Sequence, residues 1–258
     1  MIKLFIQNRK GQKISVIAEE NSQAKGLAFV MHGHGGTKDQ PHIETFAGAF
    51  RASGFTVVRF DTTNTFGESD GDYMVSTTTN YYEDLEDVIG WASTQGWYRE
   101  PFWLVGHSLG GECVALYAED HPQKVMALAP ISTVVNRTMI LANEPKERLE
   151  EWNRTGWKIS PSESRPGTMK KLDWKQYVDD SMKYDLLPKA GRLTMPVLLI
   201  TGSKDHGTPY VDQKVLYDRL PGPKEINLIE GAPHTFKDPA HLEQIRAIFL
   251  KWIGSVIE

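Results

Sequence analysis

Apolar positions along this chain follow two rhythms in turn. Residues 2–6 and 13–18 alternate apolar and polar around Arg9-Lys10-Gly11-Gln12, the pattern of an antiparallel hairpin at a sheet edge. Residues 27–31 are instead a continuous apolar run, which suits a strand covered on both faces, residues 102–105 read as a buried parallel strand, and residues 55–60, 124–130, 196–200 and 224–229 as further strands. Between them lie helical spacings: Ile43, Phe46, Ala47 and Phe50 up to a stop at Gly54, then Tyr81, Leu85, Val88, Ile89 and Ala92. Residues 109–118 read as another helix, Pro209 as the first position of the next, and Leu242, Ile245, Phe249, Trp252, Ile253 and Val256 as one face of the last. Strand and helix therefore alternate. This predicts the α/β class, a mostly parallel central sheet with helices on both faces, whose carboxyl edge is where ligands bind.

The alternation breaks over residues 134–194. That stretch holds a charged helix around residues 144–154 and a turn-rich piece at residues 160–167, and it also carries Trp152, Trp157, Trp174 and Tyr177. So many large aromatics argue against a disordered linker and for an inserted cap or lid over the site. The expected organisation is a core of residues 1–133 and 195–258 with a cap of residues 134–194. The four aromatics are candidates for a substrate pocket, or for the cap's own core. The cap has twelve Lys and Arg against nine Asp and Glu, too small an excess to argue for an anionic substrate.

Composition narrows the class. With 258 residues the chain can bury a substantial core, and 40% hydrophobic with 24% charged residues is ordinary for a soluble globular protein. A net charge of −4 leaves no basic footprint for nucleic acid. The opening residues lack an apolar signal core, and no run reaches the roughly 18 apolar residues of a membrane span. The expectation is a cytoplasmic protein without a membrane span. Cys113, the single cysteine, has no partner for an intramolecular disulfide and reads as a small helix residue.

The chemistry centres on Gly106-His107-Ser108-Leu109-Gly110, between a buried strand and a helix. Such an elbow strains the backbone at its central residue and needs tiny neighbours two positions to either side. It holds the Ser108 hydroxyl at the carboxyl edge of the sheet, beside the positive end of the following helix. Asp205 and His234 each follow a later predicted strand. A serine hydroxyl needs a histidine to accept its proton, and the histidine needs a carboxylate to fix its tautomer, so Ser108, Asp205 and His234 form a candidate triad. Asp61, also just past a strand, is the next acid to test, ahead of Asp70, Asp72, Glu230 and Asp238. An oxyanion would need two backbone donors, expected from Leu109 and from His34 in the loop His32-Gly33-His34-Gly35-Gly36. A zinc reading of His32, His34 and His42 fails for want of a matching carboxylate spacing, so no metal is expected. The same loop lacks the Lys-Ser/Thr ending of a P-loop and does not fit the dinucleotide fingerprint.

The segments HGHGG, FDTTNTFGESDG, LVGHSLGG, PVLLITGSKDHGTP and EGAPHTF resemble the signature blocks of serine α/β-hydrolases. The likeness is to the capped group of cinnamoyl and feruloyl esterases, monoacylglycerol lipase-like enzymes and relatives classed as serine aminopeptidases. It spans nearly all of the chain outside the cap. It implies the α/β-hydrolase fold, Ser108 as nucleophile, His234 as general base, Asp205 as orienting acid and the amides of His34 and Leu109 as oxyanion hole. One departure is that Asp205 is followed by His-Gly-Thr-Pro, where relatives commonly carry an acidic residue and Val-Pro. The implied activity is cofactor-free hydrolysis of small-molecule carboxylic esters, short acyl or hydroxycinnamoyl, through an acyl-enzyme. A thioesterase or amidase on the same triad, and a non-catalytic binding protein of the same fold, are the alternatives.

Overall fold

The computed structural model describes residues 2–162 and 167–257. Strands β1 (Ile2–Gln7) and β2 (Lys13–Glu19) form the opening hairpin, and β3 (Leu27–Met31), β4 (Thr56–Phe60), β5 (Phe102–His107) and β6 (Val125–Ile131) follow. Helices α1 (Pro41–Ala52), α2 (Thr78–Ala92) and α3 (Leu109–Asp120) connect them. Between β6 and the next strand of the main sheet lie α4 (Arg137–Asn143), α5 (Lys146–Thr155), the strand pair β7 (Trp157–Pro161) and β8 (Met169–Asp173), and α6 (Trp174–Ser181). The chain closes with β9 (Val197–Gly202), α7 (Tyr210–Arg219), β10 (Lys224–Ile229) and α8 (Pro239–Ile257).

The main sheet runs β1-β2-β4-β3-β5-β6-β9-β10. β2 pairs antiparallel with both β1 and β4, and the remaining pairings are parallel. The runs without alternation are explained by what covers them. In β3, Leu27, Phe29 and Met31 face a core shared with Tyr81, Leu85 and Val88 of α2 and with Val114 and Ala118 of α3. Ala28 and Val30 point the other way, into a core with Phe46 and Phe50 of α1 and Phe249, Trp252 and Ile253 of α8. Each large side chain so buried contributes about 1.5–3 kcal/mol relative to exposure. Two filled faces fix the register, because a one-residue slip would exchange them. Among the described residues no helix is long and apolar enough to cross a membrane.

The described residues of 134–194 lie outside this sheet, and Arg137, Lys158 and Tyr177 among them line the same cavity as Ser108, just past the carboxyl end of β5. Trp152, Leu172, Trp174 and Tyr177 form a small separate core together with Tyr73 from the loop after β4. Asp173 caps α6 by accepting from the Gln176 amide at 2.9 Å, and Asp180 accepts from the Thr79 amide and hydroxyl, which ties α6 to α2. The charged helix expected around residues 144–154 is α5. The expected turn-rich piece at residues 160–167 begins on the end of β7, and its residues 163–166 lie outside the described ones. Pro209 differs from expectation by one position: with φ −64° and ψ 163° it is the extended cap residue before α7 rather than its first helical residue.

Candidate active site

Ser108 stands between β5 and α3 with φ 56° and ψ −118°, a conformation that costs a residue with a Cβ of order 1–3 kcal/mol. The close packing of the elbow explains its glycines. A Cβ on Gly106 would collide with the Gly110 carbonyl, and one on Gly110 with the carbonyl of His32. The turn therefore seats Ser108 against the loop after β3, where a Cβ on Gly33 would lie 2.9 Å from that of Ser108.

Asp205 lies just past β9 and His234 just past β10, and the parallel pairing of these strands brings the two side chains together. His234 Nδ1 is 2.7 Å from Asp205 Oδ2. The other oxygen, Oδ1, accepts from the amides of Gly207 at 3.1 Å and Thr208 at 3.0 Å. Burial alone would raise the Asp205 carboxyl, but the facing His234 ring and the Thr208 donors outweigh it and hold the group well below the usual carboxylate range. An ionised Asp205 requires His234 to carry its proton on Nδ1, which leaves Nε2 as the basic nitrogen. Thr208 was not anticipated from sequence. Its hydroxyl oxygen stands 2.8 Å from Asp205 Oδ2, 2.9 Å from the Ser132 carbonyl and 3.2 Å from His234 Nδ1. The departure His-Gly-Thr-Pro after Asp205 was the only signal of it.

The backbone amides of His34 and Leu109 donate to no protein acceptor among the described residues, and both residues line the cavity that holds Ser108 and His234. The three histidines near this loop have separate settings. His32 Nε2 accepts from the Thr62 amide at 3.0 Å, so its Nδ1 donates to the Gly33 carbonyl at 2.8 Å. The His34 ring stacks on Tyr177 with centroids 4.6 Å apart and sets Nε2 2.7 Å from Ser76 Oγ. His42 is buried on α1 against His107, with ring centroids 4.4 Å apart, and burial pushes it down to about 3. Among the described residues no group of three metal-ligating side chains is brought together.

The other candidate acids face elsewhere. Asp61 is fully buried and binds the equally buried Lys38, whose Nζ is 2.7 Å from Oδ2 and whose amide is 2.7 Å from Oδ1. Asp70 accepts from the Lys13 amide, Asp72 caps the turn at Met74, Glu230 accepts from Ser203 and Asp238 from the Ala240 amide. Of the four aromatics offered for a pocket, Tyr177 lines the cavity and Trp152, Trp157 and Trp174 do not. Trp152 and Trp174 pack on each other at 4.8 Å, because the inserted segment needs a core of its own, and the Trp157 ring lies under Lys171 Nζ at 3.9 Å. The cavity measures about 220 Å³.

Known proteins agree with this architecture. A curated relative from Escherichia coli, an uncharacterized 31.7 kDa protein in the traX-finO intergenic region, is 26% identical over 88% of this chain and 89% of its own length. The mitochondrial palmitoyl-protein thioesterase ABHD10 of Bos taurus is 27% identical over 78% of this chain and 63% of its own length. The structure of Est1E from Butyrivibrio proteoclasticus with ferulic acid bound superposes with a TM-score of 0.82 at 20% identity, covering 98% of this chain and 99% of that one. The family model described as serine aminopeptidase, S33, matches residues 22–181, from before β3 through α6. With the central sheet, the elbow and this match in hand, the chain belongs to the S33 serine aminopeptidase family of α/β-hydrolases.

Proposed function

We propose that this protein is a serine hydrolase that cleaves small carboxylic esters through an acyl-enzyme. The observation that carries the reading is the strained Ser108 elbow opening onto the same cavity as the Asp205-bound His234. In the proposed reaction His234 Nε2 takes the Ser108 proton as Oγ attacks the carbonyl carbon, and the oxyanion is held by the amides of His34 and Leu109. Collapse breaks the bond to the leaving alcohol, which receives the proton from His234. Water, deprotonated by the same nitrogen, then releases the acid and restores Ser108. Asp205 stays ionised throughout and stabilises the imidazolium. No cofactor enters any step.

Residues 134–194 act in this reading as a cap that shapes the substrate cavity. At about 220 Å³ the cavity falls below the roughly 300–1,000 Å³ common for ligand pockets, which favours a short acyl or a single aromatic group. Est1E with bound ferulic acid supports the aromatic option, and the palmitoyl-protein thioesterase relative supports a thioester as the second reading.

The test is a panel of chromogenic esters from acetyl to octanoyl, a feruloyl ester, and matched thioester and peptide substrates, given to the wild type and to Ser108→Ala. Ester turnover that vanishes in the variant supports the proposal, and the best acyl group sizes the pocket. Turnover of the thioester alone moves the second reading forward. Failure to turn over any substrate, together with failure of a fluorophosphonate to label Ser108, removes the hydrolase reading.

A further inference from the structure

One wall of the candidate cavity is charged. Arg137, Lys158 and Lys170 line it, with Glu144 as the one carboxylate among the described lining residues. Lys158 is engaged, with Nζ 3.4 Å from Glu144 and 4.4 Å from the centre of the Trp152 ring. Lys170 Nζ lies 5.8 Å from the centre of the Tyr73 ring. The other described lining residues, Gln40, Ile140 and Thr208 among them, carry no carboxylate.

Arg137 is the decisive residue. It is only 3% exposed, and among the described residues no carboxylate comes within ion-pair distance of its guanidinium. Its two side-chain hydrogen bonds go to neutral hydroxyls, Nε to Ser181 Oγ at 2.7 Å and Nη2 to Tyr177 Oη at 2.7 Å. Glu112, the buried acid whose charge bears on Arg137, is itself without a hydrogen-bond partner, and desolvation pushes its carboxyl up to about 8. Burial thus favours the neutral form of Glu112 and weakens it as a counter-ion. A buried cation without a counter-ion is costly, and a fold keeps one where something else supplies the anion.

Ser181 and Tyr177 also fix the plane of the guanidinium. The guanidinium also lies over the Tyr177 ring, 4.5 Å from its centre, and Arg137 lines the cavity, where a guanidinium's paired N–H groups suit the two oxygens of a carboxylate. Because the cavity is small and shared with Ser108, the anion it takes must sit only a few bonds from the carbonyl under attack. A free carboxylic acid elsewhere in the pocket would be a product or an inhibitor; a carboxylate on the uncleaved ester would be a recognition handle.

Resting on the hydrolase reading above, we propose that the substrate is an ester that also carries a carboxylate, and that Arg137, assisted by Lys158, is the specificity-determining residue that binds it. Tyr177 joins the two ends of the site, since it accepts from Arg137 through its hydroxyl and stacks on His34 through its ring. Occupation of Arg137 would thus steady the loop that supplies one oxyanion donor.

The experiment compares esters matched in shape and differing in charge. For a carboxylate in the acyl half, the pair is the mono-nitrophenyl ester of glutarate and nitrophenyl pentanoate. For one in the leaving group, the pair is 4-acetoxybenzoate and its methyl ester. Within each pair kcat/KM is taken as a charged-to-neutral ratio, which cancels the active fraction, and Ser108 labelling by a fluorophosphonate is run alongside. The expected result is a ratio of roughly ten or more in one pair for the wild type. That ratio should collapse in Arg137→Gln and survive in part in Arg137→Lys, which keeps the charge but loses the fork. A wild-type ratio near or below one in both pairs, with neutral esters cleaved and Ser108 labelled, overturns the carboxylate proposal and leaves the hydrolase reading standing. A wild-type preference that persists undiminished in Arg137→Gln overturns the assignment to Arg137. If no ester is cleaved and Ser108 is not labelled, both readings fall together.

Discussion

His107 and His234 are joined twice: His107 Nε2 lies 2.8 Å from the His234 carbonyl oxygen, and the two rings sit 4.7 Å apart. Burial keeps His107 neutral by pushing it well below its ordinary value, so Nε2 donates its one hydrogen to that carbonyl. The residue immediately before the candidate nucleophile thus holds the main chain of the candidate base. Replacing it with a ring of similar shape that cannot donate, His107→Phe, should lower kcat by about ten- to a hundredfold through misplacement of His234, with a smaller change in KM. Steady-state kinetics on a neutral ester checks this, and the rate of fluorophosphonate labelling should fall in parallel.

Two buried aspartates have opposite roles in this account, and amide substitution separates them. Asp205→Asn should reduce kcat by about 10⁴-fold, because the amide stabilises the wrong His234 tautomer. Asp61→Asn leaves the buried Lys38 ammonium with Glu68 at 2.7 Å and Asp39 at 3.4 Å as its counter-ions, both more exposed, and should cost about 1–3 kcal/mol of stability. Denaturant unfolding together with kinetics distinguishes the two; loss of activity without loss of stability in Asp61→Asn would make it the catalytic acid instead.

Strain at Ser108 predicts an exchange of stability for function. Glycine occupies the φ 56°, ψ −118° conformation readily, whereas alanine keeps the Cβ that makes it unfavourable. Ser108→Gly should therefore unfold at higher temperature than Ser108→Ala, by about 1 kcal/mol in stability, while both variants lack hydrolysis. Thermal unfolding of the pair measures the difference.

Glu112 should make the protein less stable in mild alkali. Desolvation raises its carboxyl in the folded state from 4.5 to about 8, so between these values the folded chain holds a proton that the unfolded chain has released. Stability from this group is then present below pH 4.5 and is lost as the pH climbs toward 8. Glu112→Gln cannot ionise. Its stability relative to wild type should rise across that window, by roughly 1–3 kcal/mol at its upper end. Unfolding curves at pH 5 and pH 8 check the sign.

What sequence reveals here depends on whether a feature is local. The run Leu27–Met31 reads as a doubly covered strand because all five of its side chains are buried, and the elbow reads as an elbow because Gly106 answers to the Gly110 carbonyl four residues on, although Gly110 itself is held small by the distant His32 carbonyl. Thr208 and His107 act across loops that meet only in the fold, one bridging Asp205 and His234, the other reaching from β5 to the loop after β10. No spacing announces such contacts. The inserted segment is harder still. Its charge excess of twelve to nine says nothing about position, yet Arg137 and Lys158 are turned inward while Glu147, Glu150 and Glu151 sit on the surface of α5. Its tryptophans were equally ambiguous, since only packing decides whether an aromatic lines a cavity or fills a core.

The inserted segment leaves and rejoins the sheet at neighbouring places. β6 ends at Ile131 and β9 begins at Val197, Leu128 is registered against Val197, and the Ser132 amide donates to the Ile200 carbonyl at 2.8 Å. The two strands would remain paired whatever length of chain looped out between them. Selection, or an engineer, can therefore rewrite residues 134–194 as one cassette while Ser108, Asp205 and His234 keep their alignment. Under the proposed function, a change in that cassette would retune which molecules enter, with Tyr177 against His34 as the contact to preserve.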